Sequence, residues 1–231
     1  MESIAGQLKR YVRRRLDGDD AADFFYRPAR GVRPVSGKQP ADPRMDALAG
    51  EAAHCTKCAL HKSRQRVVFG EGDPRARLVL VGEAPGAEED RQGRPFVGAA
   101  GQLLTRMLEA IGLRREKVYI CNVLKCRPPG NRNPQPEEIS ACRDWLQQQL
   151  ELLKPEVICT LGTYATQTLL DTQEPIGKMR GKVHRFQGVA LVPTFHPAAL
   201  LYHPQNKRLA WEDMKQIASL LGLKPVQAGK S

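Results

Sequence analysis

The chain has 231 residues, enough for one domain of ordinary size with an appended segment. Lys and Arg total 36 against 25 Asp and Glu, and this net charge of +11 favours a polyanionic partner such as nucleic acid over an acidic small molecule. No apolar stretch is as long as a membrane span, and residues 1–16 are basic without the apolar core of a secretory signal. We therefore expect a cytoplasmic protein that does not enter a membrane.

The first 45 residues differ in composition from the rest of the chain. Residues 1–16 have the pattern of a basic helix, and residues 27–43 hold four prolines and little apolar content, which is typical of a linker. We expect a flexible extension over 1–45, a folded domain over 46–222 and a tail over 223–231. A functional alternative for the extension is a tether, either through the basic residues 11–15 or through the aromatic residues 24–26.

A short apolar run at residues 78–81 has the composition of a strand buried on both faces, and it ends abruptly at Gly82. A turn rich in Gly and Pro, the acidic residues 88–90, an isolated Phe96 and a helix start near Ala99 follow it. In an open α/β sheet, a strand end followed by a loop and a helix start is the usual place for a ligand. The three acids and the absence of a P-loop pattern argue against a phosphate. The simpler alternative is that the acids cap the next helix.

The rest of the chain alternates strand-like and helix-like runs. Strands are predicted at 77–82, 117–123 and 156–161, a pair of short strands within 183–194, and helices at 99–112, 136–153, 162–171 and 204–221. This alternation predicts an α/β fold with a parallel sheet and helices on both faces. Because the carboxyl ends of parallel strands meet at one edge, that edge is expected to gather Glu83, Ala84, Phe96, Asn122 and His196.

Cys55 and Cys58 form a C-x-x-C pair, which in a chain without a secretory signal argues for metal, cluster or redox chemistry. Cys126 is expected on a loop after a strand, and Cys142 on a helix. Four thiolates can hold tetrahedral zinc or an iron–sulfur cluster, and their spacing does not separate the two. Unrelated free cysteines are the third reading. A site of this kind would tie the N-terminal part of the domain to its core.

Cys121 and Cys159 differ from these four. Both lie inside apolar runs with strand composition, VYICNVL and EVICTLG. Cysteine in such surroundings behaves as a small hydrophobic residue. We expect both side chains to be buried and to take no part in a site.

Four motifs, GEAPGAEED, GRPFVGAAGQLL, NVLKCRPPGNRNP and HPAALL, occur together with the four cysteines. In this order they resemble the iron–sulfur family-four uracil-DNA glycosylases, over about residues 47–221. The resemblance implies a three-layer α/β/α sandwich over a four-stranded parallel sheet. It also implies a structural [4Fe–4S] cluster, held by Cys55, Cys58, Cys126 and Cys142. We expect a monomer that acts on uracil-containing DNA, single- or double-stranded.

The reaction implied by the resemblance is base excision, in which uracil is flipped out of the DNA and water replaces it at the sugar. Phe96 resembles the residue that stacks on the base, and Asn122 the amide that reads its O4 and N3–H. His196 resembles the donor that stabilises negative charge on the uracil O2. Looser candidates for contacts with the DNA backbone are Arg127, Arg132 and Lys207.

One position departs from the wider superfamily, because Ala84 stands where other branches carry an Asp or Asn that positions water. The backbone at Ala84 is one candidate to hold the water, and Glu83 and Glu89 are the carboxylates left to polarise it or to support the sugar cation. Gly86 stands where another branch has a bulky aromatic, and Glu89 is expected to fill that space. A covalent uracil-binding relative is disfavoured because the segment RPPGNRNPQP has no histidine. The alternative function is a non-catalytic iron–sulfur DNA-binding module.

Overall fold

The computed structural model describes residues 43–224, which form a sheet covered by helices. The strands are β1 (Glu71–Gly72), β2 (Leu78–Gly82), β3 (Tyr119–Asn122), β4 (Val157–Leu161), β5 (His184–Phe186) and β6 (Val189–Thr194). The α-helices in this range are α1 (Pro43–Ala53), α2 (Ala87–Gln92), α3 (Ala99–Ala110), α4 (Pro136–Leu153), α5 (Thr163–Leu170), α6 (Ile176–Met179), α7 (Pro197–Tyr202) and α8 (Lys207–Leu220).

The sheet is mixed, with the strand order β1-β3-β2-β4-β6-β5. Its four inner strands are parallel to their neighbours, whereas β1 and β5 pair antiparallel at the two edges. The expected α/β class is confirmed, and the four parallel strands form the inner part of a mixed six-stranded sheet that two antiparallel edge strands extend. β1 has only two residues, too few for a periodic pattern. β5 and β6 form the predicted pair, joined where Gln187 and Gly188 take positive φ values of 48° and 86°.

Apolar side chains leave the inner strands on both faces. In β2, Leu78 and Leu80 pack into one cluster with residues of α3 and α8, whereas Val79 and Val81 pack into a second cluster with residues of α1 and α4. This alternation follows from the two-residue period of a strand. Helices therefore cover both faces of the sheet, and the carboxyl edge of its parallel strands remains open.

Helix boundaries follow local signals. α4 spans the predicted residues, because Pro136 starts it and Gln135 forms a capping box with Glu138. α3 ends at Ala110, two residues earlier than predicted, and Gly112 follows with a φ of 78°. The predicted helix at 204–221 begins as a 3₁₀ turn before α8. Four short elements had not been predicted: α2, α6, α7 and β1.

α1 was also not predicted, and it begins before residue 46, where the folded domain was expected to start. This helix begins at Pro43, and Met45 is buried, so the body starts ahead of the expected boundary at 46. The predicted basic helix, the docking segments and the linker up to residue 42 lie outside the described residues, as does the tail from 225. Among residues 43–224, no helix combines the length and apolar character needed to cross a bilayer.

Candidate active site and cysteine-lined cavity

A cavity of about 420 Å³ opens at the carboxyl edge of the parallel strands. Its walls come from the loop after β2, the last residue of β3, the segment after β6 and the loop before α4. The predicted residues that line it are Glu83, Ala84, Gly86, Glu89, Phe96, Asn122, Arg132 and His196. Small or polar residues that had not been singled out complete it: Pro85, Ala100, Pro128, Asn131, Ala198 and Ala199. Each of these residues lies within four positions of a predicted residue, which is the signal that could have found them.

Asn122 ends β3 and is almost completely buried, with 1% of its surface exposed. Its carbonyl oxygen Oδ1 is buried and has no hydrogen-bond partner within residues 43–224. Leaving a buried acceptor unpaired costs about 1–3 kcal/mol, so a ligand that donates to it would recover that energy. Gly82 makes room for this arrangement, because a Cβ there would lie 2.3 Å from Asn122 Oδ1 and 2.6 Å from Phe96 Cζ.

Phe96 lies in a tight turn between α2 and α3 and has a φ of 50°, which is uncommon for a bulky residue. The turn is held from two sides. Glu89 Oε1 accepts hydrogen bonds from the backbone N–H groups of Val97 at 2.9 Å and Gly98 at 3.0 Å. Gly101 packs against the turn, since a Cβ there would lie 1.8 Å from the Phe96 carbonyl oxygen. These contacts fix the aromatic ring at the cavity wall.

His196 caps the N-terminus of α7, where its Nδ1 accepts a hydrogen bond from the Ala198 backbone N–H at 3.2 Å. Burial lowers the pKa of His196 to about 4, opposed by the negative charge of Glu89. The imidazole is therefore neutral at physiological pH. Because Nδ1 is the acceptor, the proton resides on Nε2, which leaves one N–H donor for a ligand. The ring centroids of His196 and Phe96 are 5.5 Å apart.

The two candidate carboxylates differ in their surroundings. Glu89 is bonded to the turn at Val97 and Gly98, and its Oε2 would lie 2.8 Å from a Cβ at Gly86. Glu89 thus occupies the space beside Gly86, as expected. Glu83 lines the cavity, and burial raises the pKa of its carboxyl. A raised pKa moves a carboxyl towards the range in which a general base is most effective.

The three basic candidates are placed differently. Arg132 reaches the cavity but donates two hydrogen bonds to Glu138, at 2.6 and 2.9 Å. Arg127 donates to Asn131 Oδ1 at 2.7 Å in the same loop. Lys207 begins α8 and is not part of the cavity wall. Of the three, only Arg132 is brought to the site.

A second cavity lies between α1, the loop after β3 and α4. It is lined by all four predicted cysteines, Cys55, Cys58, Cys126 and Cys142. N–H donors point at three of their sulfurs, each at 3.3 Å: Arg64 Nη1 at Cys126, Trp145 Nε1 at Cys55, and the Lys125 backbone at Cys142. Within residues 43–224, no group of three or more His, Cys, Asp or Glu side chains is arranged to hold a metal ion. The four thiols nevertheless line the same cavity.

The remaining two cysteines are placed as predicted. Cys121 lies in β3 and Cys159 in β4, and neither side chain is exposed. Burial raises the pKa of both thiols. They are therefore protonated core residues, separate from the cysteine-lined cavity.

Comparisons with known proteins agree with this geometry. Residues 69–215 match the model of the uracil DNA glycosylase superfamily. A type-4 uracil-DNA glycosylase of Archaeoglobus fulgidus is 47% identical over 78% of this chain and 94% of its own length. Type-4 enzymes of Saccharolobus solfataricus and Thermotoga maritima are 44% and 46% identical over 79% and 77% of this chain, and over 88% and 94% of their own lengths. The chain therefore belongs to the uracil DNA glycosylase superfamily and, within it, groups with the type-4 enzymes.

Proposed function

We propose that this protein is a uracil-DNA glycosylase, which flips uracil out of DNA and hydrolyses its N-glycosidic bond to leave an abasic site. The observation that carries the proposal is the pairing, in one cavity, of a neutral histidine with one N–H to donate and a buried amide oxygen that has no hydrogen-bond partner among residues 43–224. Its relatives are named type-4 uracil-DNA glycosylases, which agrees with this chemistry. A non-catalytic binding module would have no need of the histidine donor.

Uracil recognition is assigned to Asn122 and Phe96. Uracil presents an acceptor at O4 and a donor at N3, and the Asn122 amide can meet both, with its NH₂ group and its Oδ1. Asn122 Oδ1 has no hydrogen-bond partner in the described part of the chain, which supports this role. Phe96 supplies an apolar face on which the base can stack. Contacts on the Watson–Crick edge and stacking are the usual means by which a flipped base is read.

Bond cleavage is assigned to His196 and Glu83. As the glycosidic bond breaks, negative charge develops on uracil, and the Nε2–H of His196 donates to O2. A neutral donor suits this task because it binds the charge as it appears and does not transfer its proton beforehand. Glu83 orients the attacking water and accepts its proton, supported by the raised pKa of its carboxyl. Glu89 supports the reaction indirectly, because it holds the turn that carries Phe96.

Contacts with DNA follow from charge and from the position of the cavity. The net charge of +11 favours binding to the phosphate backbone, single- or double-stranded. The Arg132 guanidinium at the cavity and Arg127 beside it are the proposed phosphate contacts nearest to the flipped base.

The cysteine-lined cavity is proposed to hold a [4Fe–4S] cluster through Cys55, Cys58, Cys126 and Cys142. Its chemistry fits such a group, because four thiols line it and three N–H donors point at their sulfurs. The basic side chains of Arg64 and Lys125 offset the charge of bound thiolates. When bound, the cluster supplies structural cross-links between α1, the loop after β3 and α4, and takes no part in the excision.

The test is excision from a synthetic oligonucleotide with one uracil, followed by alkaline cleavage at the abasic site. We expect strand cleavage with uracil and none when thymine or cytosine replaces it. His196→Ala is the matched control, with a rate reduced by about 10²–10³-fold, the usual loss when one such donor is removed. DNA affinity of this variant should change little, because the donor meets its charge only in the transition state. A wild-type protein that binds the oligonucleotide and leaves uracil in place would contradict the proposal.

A further inference from the structure

Lys125 is an ionisable side chain in the protein interior, with 2% of its surface exposed. Its Nζ donates to the Asn122 backbone oxygen at 2.8 Å and to Gln149 Oε1 at 2.5 Å, and it lies 5.8 Å from the centre of the Phe69 ring. Its backbone N–H donates to Cys142 Sγ at 3.3 Å. Lysine is almost never fully buried without partners, so this set of contacts calls for a reason.

The end of β3 supplies that reason. On one side β3 pairs with β2 along its full length, and the backbone N–H of Val123 donates to the Gly82 oxygen at 2.9 Å. On the other side β1 covers only Tyr119 and Ile120, so the Asn122 carbonyl lies beyond the last strand pair. Lys125 Nζ donates the hydrogen bond to this carbonyl that a neighbouring strand would otherwise supply. This hydrogen bond from Nζ therefore fixes the backbone that presents the Asn122 side chain.

We propose that Lys125 is a positioning residue for uracil recognition, which locks Asn122 in its reading position and couples it to the cysteine-lined cavity through Cys142. This inference rests on the proposed role of Asn122. The two contacts have different roles. The Nζ hydrogen bond holds the Asn122 backbone in place, and the hydrogen bond from the Lys125 backbone N–H to Cys142 holds the Lys125 backbone from which that side chain extends. A displacement of about 1 Å in a substrate-positioning group can cost about 10²-fold in rate. If Asn122 were displaced in this way, the site would also lose selectivity for uracil over other bases.

The principal variant is Lys125→Met, which keeps an unbranched apolar side chain of similar length and removes the Nζ hydrogen-bond donor. We expect single-turnover uracil excision to fall by about 10- to 100-fold per iron-loaded molecule, with weaker binding of free uracil by calorimetry. Gln149→Met is the matched control, because it removes the other hydrogen bond of the same Nζ and leaves the bond to Asn122. That variant is expected to unfold at a lower temperature and to excise uracil at close to the wild-type rate.

A double-mutant cycle separates positioning from a general structural role. If Lys125 acts through Asn122, Lys125→Met should have little further effect in an Asn122→Ala background, on rate and on uracil affinity alike. An equal fold-loss in both backgrounds would overturn the proposal, as would a rate loss that only follows iron content. If Lys125→Met yields no iron-loaded protein, the same cycle is run with Lys125→Gln, which keeps an N–H donor. Additive effects of Lys125→Gln and Asn122→Ala would likewise overturn the proposal. An inactive wild type would instead contradict the proposed function.

Discussion

The proposed role of Asn122 would let one side chain discriminate between two similar bases. Cytosine presents a donor at N4 and an acceptor at N3, so it meets like groups at both atoms of the Asn122 amide. Each reversed contact leaves a buried polar atom unpaired at a cost of about 1–3 kcal/mol, which together gives discrimination by orders of magnitude. The structure adds that Asn122 Oδ1 is already buried and unpaired within the described residues, so no protein group competes with the base for it.

The variant Asn122→Asp tests this reading. It replaces the amide donor with a second acceptor, so we expect it to lose most uracil excision and to gain a weak activity on cytosine, whose N4 group donates. The measurement is release of labelled base from matched oligonucleotides with one uracil or one cytosine. Undiminished release of uracil by the variant would show that Asn122 does not read the base.

Glu83 and His196 together set the expected pH dependence. Burial raises the pKa of Glu83, and a general base works only when ionised, so the single-turnover rate should rise with pH as Glu83 ionises and then level off. His196, with a pKa of about 4, stays neutral through that range and contributes no step there. Glu83→Gln should lower the plateau and remove the rise. A rise that persists in Glu83→Gln would assign the base to another group.

Among the secondary-structure elements, α3 packs so closely against the Phe96 turn that only glycine fits at position 101. Ala is the better helix former by about 1 kcal/mol, yet a Cβ at Gly101 would lie 1.8 Å from the Phe96 carbonyl oxygen, so the turn would have to move. We expect Gly101→Ala to weaken uracil binding and to lower excision by about 10²-fold. The measurement is a comparison of KM and single-turnover rate with those of the wild type.

Gly50→Ala is the matched control for Gly101→Ala. Gly50 also lies within a helix, α1, but a Cβ there would meet nothing within 4 Å. This variant should keep full activity and unfold at an equal or higher temperature, because only the helix propensity changes. If both variants behaved alike, the close contact with Phe96 would not be what limits Gly101.

At the scale of the whole molecule, the four site cysteines connect parts of the chain that are distant in sequence. They come from the turn after α1, the loop after β3 and the middle of α4. We expect recombinant protein to be yellow-brown, and replacement of any one of the four by Ala to lower the unfolding temperature and the iron content. Cys121→Ala and Cys159→Ala are controls that should keep the colour, because both lie in the core away from that cavity. Stoichiometric zinc without iron in anaerobically purified protein would contradict the cluster assignment.

Local patterns were sufficient for the elements whose signals are local. α4 has a proline start and a capping box, and the β5–β6 turn has residues that accept positive φ, so both were predictable within a residue or two. α2 and α7 were not, because each has only six residues, too few to show a helical period in the sequence. β1 exists only through its pairing with β3, and a two-residue strand has no period of its own.

The sequence by itself determined the α/β class, the sheet edge where the site forms and most of the residues at it, because the carboxyl ends of parallel strands converge whatever their details. Only the tertiary structure decided how those residues differ in chemistry. The neutral state of His196, the different surroundings of Glu83 and Glu89, and the buried Lys125 behind Asn122 all depend on burial and on contacts between distant segments. Such contacts form when the chain packs, and no local pattern of residues encodes them.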